Sequence, residues 1–206
     1  MSLVEVRSVG HARGVLHDVT VSFEAAELAV VAGRSGSGKS TLCHLIAGVM
    51  RPSEGEVLVA GKRPYPAPDW ATVSLLPQRL ALEPELSVAE NVQLAASLRR
   101  VPPDPELLDR LGLAGIAGRP ARDTSLGEQQ RTAIARALVL RPAVAVLDEP
   151  TAHQDDEHVH LVLGALRAVV AAGTLAIVAT HDQRVIDIAG TVVRLASGRL
   201  LSGSQR

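Results

Sequence analysis

Residues 33–40, Gly33-Arg34-Ser35-Gly36-Ser37-Gly38-Lys39-Ser40, match the pattern G-x-x-x-x-G-K-[ST] at every fixed position. An apolar run, Leu-Ala-Val-Val-Ala at 28–32, enters this stretch, and a helical pattern from Lys39 to Met50 leaves it. Glycines at 33, 36 and 38 let the backbone curl so that its N–H groups line a concave anion site. A helix starting near Lys39 adds free N–H groups and the positive end of its dipole. Lys39 supplies a point charge for the β- and γ-phosphates. Ser40 is a Mg²⁺ ligand candidate, and Thr41 follows it into the site. The bland alternative is a glycine-rich turn with no ligand; the order strand, loop, helix weighs against it. The expectation is a nucleotide site built on an α/β fold.

The chain has 206 residues, enough for one large domain or a domain with a subdomain. Only one Phe, one Tyr and one Trp accompany a hydrophobic content of 47%, so the core must be aliphatic. Lys and Arg number 21 against 22 Asp and Glu, a net charge of −1, and no basic block suggests a nucleic-acid surface. The lone Cys43 excludes an intrachain disulfide and is compatible with a reducing compartment. The first residues lack a signal-peptide plan. No apolar run reaches the roughly 18 residues of a spanning helix. If the protein works at a membrane, something else holds it there.

Strands are expected at 3–9, 18–23, 28–32, 56–59 and 72–76, the last delivering Gln78. The segment 63–68 is proline-rich and reads as an extended loop. From about 79 to 123 the pattern turns helical. Ser87 and Glu90 match a capping box for a helix to about Arg99, and Asp104-Pro105-Glu106 restarts a helix with proline at its first position, ended by Gly112. Helical patterns cover 126–140, 157–172 and 182–189. The continuous apolar runs 143–147 and 174–179 read as strands buried on both faces. Residues 191–195 and 200–201 close a hairpin around Ser197-Gly198.

Two further stations carry chemistry. The run 143–147 ends in Asp148 and Glu149, and the carboxyl ends of strands in an open α/β sheet line the ligand crevice. Asp148 is placed to hold Mg²⁺ through water, and Glu149 to orient or deprotonate an attacking water; the bland alternative is a solvated acidic turn. The other station is 125–131, Ser-Leu-Gly-Glu-Gln-Gln-Arg. Ser125 and Glu128 could simply cap a helix. The same serine, glycine and free N–H groups could equally bind a second phosphate. Residue physics alone leaves both readings open.

The order of the loop 33–40, Gln78, the stretch 125–131, the strand end 144–149, Asp155 and His181 resembles an ATP-binding cassette (ABC) nucleotide-binding subunit over essentially the whole chain. The stretch at 125, 23 residues before Asp148, is the most specific element. The resemblance implies a P-loop NTPase (RecA-like) core with an antiparallel β subdomain, residues 1–78 and 124–206, and a helical subdomain at about 79–123. It implies ATP and Mg²⁺ as ligands and two subunits packed head to tail, as a homodimer or a heterodimer. Each ATP would lie between one subunit's phosphate loop and the other's signature, so Ser125, Leu126, Gly127 and Glu128 would face the partner's ATP. Gln78 would sense Mg²⁺ and the attacking water, Asp155 would cross the dimer interface, and His181 would contact the γ-phosphate. A separate membrane permease, docking near 79–98, would place the chain peripherally on the cytoplasmic face. The compactness resembles short cassettes of the lipoprotein-release or macrolide-export type.

Three departures stand out. Thr124 and Leu126 replace the first leucine and first glycine of the usual Leu-Ser-Gly-Gly-Gln. Only Asp155 survives of the usual Ser-Ala-Leu-Asp. The aromatic that stacks on adenine is absent; Gly10 is the nearest position and His11 the one ring nearby, so a weak stack on His11 is the expectation. Cys43 reads as a buried thiol. His153, His158 and His160 do not make a chelate, because 158 and 160 point to different sides of a helix. Trp70 and Tyr65 have no assigned role. Rival readings fare worse. A DNA-repair ABC protein needs long coiled coils, but Gln78 and Ser125 are only 47 residues apart. A translation factor needs two cassettes and a basic linker, and a small-molecule kinase or GTPase does not need the 125–131 stretch. A degenerate cassette that pairs with an active partner is the remaining alternative.

Overall fold

A computed structural model describes residues 2–11, 15–100, 102, 104 and 106–201. Two sheets organise it. A three-stranded antiparallel sheet has the order β2-β1-β4, built from β1 (Val4–His11), β2 (Leu16–Phe23) and β4 (Glu54–Val59). A six-stranded sheet has the order β5-β6-β7-β3-β8-β9, with β3 (Leu28–Ala32), β5 (Val73–Leu76), β6 (Val144–Asp148), β7 (Leu175–Thr180), β8 (Thr191–Ala196) and β9 (Arg199–Leu200). Its first five strands run parallel, and β9 pairs antiparallel at the edge as the hairpin partner of β8.

The parallel strands explain the unbroken apolar runs. β3, β6 and β7 are buried at every position. Successive side chains point to opposite faces. Ala29, Val31, Val144, Val146 and Ile177 therefore join one core, with the three-stranded sheet and Leu42, Leu45 and Ile46 of α1 (Lys39–Ile46). Val30, Ala145, Leu147, Ala176 and Val178 join a second core. That core is covered by α2 (Val88–Arg99), α4 (Leu126–Leu138) and α5 (Asp156–Ala171). Phe23 is the one aromatic of the first core; Trp70 and Tyr65 stand exposed outside both.

Some expected boundaries shift. α1 stops at Ile46, short of Met50, because Gly48 at φ 73° turns the chain into the left-handed region. The helix expected from Asp104 is one turn, α3 (Leu107–Arg110), capped by Glu106; Pro105, its expected first residue, lies outside the described residues. Helix α6 is likewise short (Gln183–Ile186). Two 3₁₀ turns, Ala114–Ile116 and Ala121–Asp123, lie where only a helical pattern was read. Both capping boxes form: Ser87 with Glu90 on α2, and Ser125 with Glu128 on α4.

Candidate nucleotide site

Four strand ends meet at one edge of the large sheet. Ala32 of β3 lies in register with Thr180 of β7, and Asp148 of β6 with Ala179. β5 ends beside β6, at Leu76 opposite Leu147. The loop at 33–38, the carboxylates 148 and 149, His181 and Gln78 therefore leave the sheet together. They surround a cleft of about 1020 Å³. Arg34, Ser35, Gly36, Ser37, Gly38, Lys39, Ser40 and Thr41 line it, as do Gln78, Asp148, Glu149 and His181.

Glycine is required at two of these loop positions for different reasons. At Gly33 a Cβ would sit 2.4 Å from the Leu195 carbonyl oxygen and 2.5 Å from Ser37 Oγ. At Gly38 the backbone is left-handed (φ 104°), and a Cβ would meet Leu16 at 2.7 Å. Gly38 caps α1 without any side-chain hydrogen bond, so the first N–H groups of that helix remain available to an anion. Lys39, 8% exposed, donates to the carbonyl of Gly33 at 2.9 Å and of Arg34 at 3.4 Å.

Glu149 gathers the rest. Its backbone is left-handed (φ 49°). Oε1 lies 3.1 Å from His181 Nδ1 and 3.7 Å from Lys39 Nζ, and Oε2 accepts from Thr180 Oγ1 at 2.9 Å. Asp148 is 2% exposed, and neither of its carboxylate oxygens has a hydrogen-bond partner of good geometry. Burial raises its pKa, while the Ser40 hydroxyl and the charges of His44 and Lys39 pull the other way. A buried carboxylate beside a serine hydroxyl fits a hard cation with oxygen ligands.

Ser125, Leu126, Gly127 and Glu128 do not line this cleft. Ser125 and Leu126 are exposed at the start of α4. Leu126 borders a second groove of about 490 Å³, which adjoins the first through Gln78, Gln130 and His153. Asp155 is exposed and caps α5, accepting from the His158 N–H at 2.9 Å. His11 does not line the cleft; it ends β1 opposite Leu16, and Val15 occupies the wall. Sequence reading missed four residues: Thr180; Gln130, whose amide donates to the Glu149 carbonyl at 3.2 Å; Gln154; and Arg184 at the cleft rim. Gln130 falls within a stretch already singled out. The others gain meaning only through strand register and loop path.

The ABC transporter family profile matches residues 16–152. The chain belongs to the ABC transporter family. It is 35% identical to the ABC transporter ATP-binding protein YtrE of Bacillus subtilis, over 92% of this chain and 88% of that protein. It is 36% identical to the lipoprotein-releasing system ATP-binding protein LolD of Anaeromyxobacter dehalogenans, over 91% of this chain and 85% of that protein. The macrolide export ATP-binding/permease protein MacB of Burkholderia thailandensis is 36% identical over 91% of this chain, but the chain spans only 31% of MacB. A solved dimeric ATP-binding cassette in a post-hydrolysis state, bound to ADP and Pi, superimposes with a TM-score of 0.86 at 26% identity, over 96% of each chain. The fold is the P-loop cassette fold, and the chain is an ATPase subunit of the ABC family.

Proposed function

We propose that the cleft binds Mg-ATP and that the chain hydrolyses it in a head-to-tail pair with a second cassette, a copy of itself or a related chain, to drive a separate membrane permease. The observation that carries this reading is the meeting of Lys39, Glu149 and His181 at one sheet edge beside the buried Asp148.

The phosphates enter the curl of residues 33–38 and the N-terminus of α1, and Thr41 lines the same wall. Lys39 exchanges its two backbone carbonyl partners for phosphate oxygens. Ser40, Asp148 and Gln78 would hold Mg²⁺, which supplies charge compensation for the phosphates and for Asp148. Glu149 then takes the proton of a water aligned with the γ-phosphate. His181, whose Nδ1 faces the same Glu149 oxygen as Lys39, stabilises charge on the transferred group. Ser125, Leu126, Gly127 and Glu128 present a capped helix N-terminus to the partner's ATP, with Asp155 beside them, and the partner's signature closes this cleft in return. The helical segment at about 79–123 acts as the subdomain that receives the permease near 79–98. No helix among the described residues is long and apolar enough to cross a membrane. In this reading the permease holds the chain peripherally, on the cytoplasmic face.

Glu149→Gln decides the reading. It keeps the shape of the site and removes the base. ATP turnover should fall at least about 100-fold, and the full-length variant should elute as a dimer with Mg-ATP and as a monomer with Mg-ADP. Wild-type turnover in the variant removes Glu149 from the chemistry. A monomer with ATP demonstrably bound overturns self-pairing.

A further inference from the structure

The loop after Glu149 is fastened to the first turn of α4 by one side chain. Gln154 Nε2 donates to the Gly127 carbonyl oxygen at 2.9 Å, and Gln154 Oε1 accepts from Arg131 Nη1 at 2.6 Å. The fit is close: a Cβ on Gly127 would lie 2.9 Å from the His153 carbonyl oxygen and 3.5 Å from Gln154 Nε2. The amide cannot be reversed. Flipped, its oxygen would face the Gly127 carbonyl and its NH₂ would face a guanidinium, acceptor on acceptor and donor on donor.

Arg131 gives the contact its weight. It is 5% exposed, and its Nε has no partner. Burial lowers its pKa, opposed by the charges of Glu128 and Asp155. The Gln154 oxygen is thus a principal acceptor for a buried cation, and such hydrogen bonds are the strong ones. Elsewhere the buried Thr151 side chain ties the loop to Asp182. Within the loop, Ala152 N donates to Glu149 O at 3.1 Å and Gln154 N to Thr151 O at 3.4 Å, and His153 is left-handed at φ 61°. A second tie runs from Gln130 Nε2 to the Glu149 carbonyl at 3.2 Å. The two ends of the loop are therefore both pinned to α4, one at Glu149 and one at Gln154.

We infer that Gln154 is a positioning residue that locks the loop 150–155 to the N-terminal turn of α4, so that Asp155 and the Ser125–Gly127 surface are offered to the second subunit as one rigid unit. This builds on the two-subunit reading above. It gives the departure from the usual aliphatic loop residue a physical role: an amide here bridges a backbone carbonyl and a buried guanidinium, which leucine cannot do.

Two measurements test it on the full chain. The first is hydrogen exchange at the amides of residues 128–131 without nucleotide. Gln154→Leu should speed exchange there about tenfold or more, with β3 and β7 unchanged. Gln154→Glu keeps an acceptor for Arg131 and sets a second acceptor against Gly127, so it should loosen the same amides with smaller loss of thermal stability; it serves also if the leucine variant fails to fold. Unchanged exchange in the folded variants overturns the fastening. The second is the dimer dissociation constant with Mg-ATP in the Glu149→Gln background. Adding Gln154→Leu or Gln154→Glu should raise it about tenfold, while nucleotide affinity of the monomer stays within twofold. An unchanged dimer constant overturns the role in pairing. If Glu149→Gln alone does not dimerise, self-pairing fails, and the exchange data still decide the fastening.

Discussion

Glu149 is held by three neighbours before any nucleotide arrives. Lys39 and His181 face one carboxylate oxygen, and the Thr180 hydroxyl donates to the other. The Thr180 oxygen in turn accepts the Asp182 N–H at 3.0 Å, which leaves its single proton for Glu149. Thr180→Val keeps the volume and removes that donor. The expected result is a roughly tenfold fall in kcat with the KM for ATP within twofold, recovered in Thr180→Ser; steady-state kinetics with unchanged kcat in the valine variant would remove Thr180 from the positioning of the base. Little of this was legible beforehand. Glu149 and His181 announce themselves by following apolar runs. Thr180 falls just past the expected strand 174–179, and only the register of β6 against β7 brings its hydroxyl to the carboxylate. His11 was placed by likeness to the family's adenine-stacking position; the pairing of β1 with β2 sets it at a strand end opposite Leu16, and Val15 lines the cleft.

Helices α2 and α4 share one method of starting and one method of staying together. Each opens on a serine whose side chain accepts from the N3 amide, with a glutamate reaching back. Asn91, fully buried on α2, donates to the carbonyls of Glu83, Leu86 and Ser87 and accepts from the Glu83 N–H, so the segment before the helix is stitched to it. Arg136 of α4 donates to the carbonyls of Leu80 and Ala81, just beyond Gln78. Ser87→Ala should cost about 1 kcal/mol, or roughly 2–4 °C in Tm for a chain of this size. The Glu90 carboxyl is held below its ordinary value by the Ser87 hydroxyl and then by the Ser87 backbone N–H. Its contribution is therefore complete above the unfolded pKa and is lost as pH falls through the lowered folded one, so the Tm gap between wild type and variant should narrow in acid. A gap independent of pH would detach Glu90 from the cap. Elements of this kind were the easiest to read, because both capping boxes are written in four consecutive residues. Helix ends were harder. α1 ends at Ile46 because of the turn at Gly48, a glycine the helical pattern passes over.

At the scale of the molecule, two aliphatic cores sandwich a parallel sheet whose carboxyl edge carries a buried charge. Burial holds the Asp148 carboxyl above its ordinary value, so this group favours the folded state at low pH and that contribution is lost as pH rises through the raised value. A cation bound there would offset the loss. Mg-ATP at about 100 times its Kd should stabilise by about 2.7 kcal/mol, roughly 5–10 °C in Tm. EDTA should remove more of that gain in the wild type than in Asp148→Asn; equal EDTA sensitivity of the two by calorimetry would sink the assignment. The strands that build this edge were visible as unbroken apolar runs. Their order was not, since burial on both faces erases the alternation that would mark which neighbour each strand takes. The resemblance implied the core and its subdomains but no strand order.

The scarcity of aromatic side chains has an optical consequence. The chain carries a single indole, and Trp70 stands 43% exposed outside both cores, next to Asp69, which reaches toward Arg99 at the end of α2. Intrinsic emission from this protein is the voice of one surface loop beside the helical segment. It is tuned to movement of that loop against α2 and is nearly deaf to the packing of the sheet, whose melting registers instead in far-ultraviolet ellipticity.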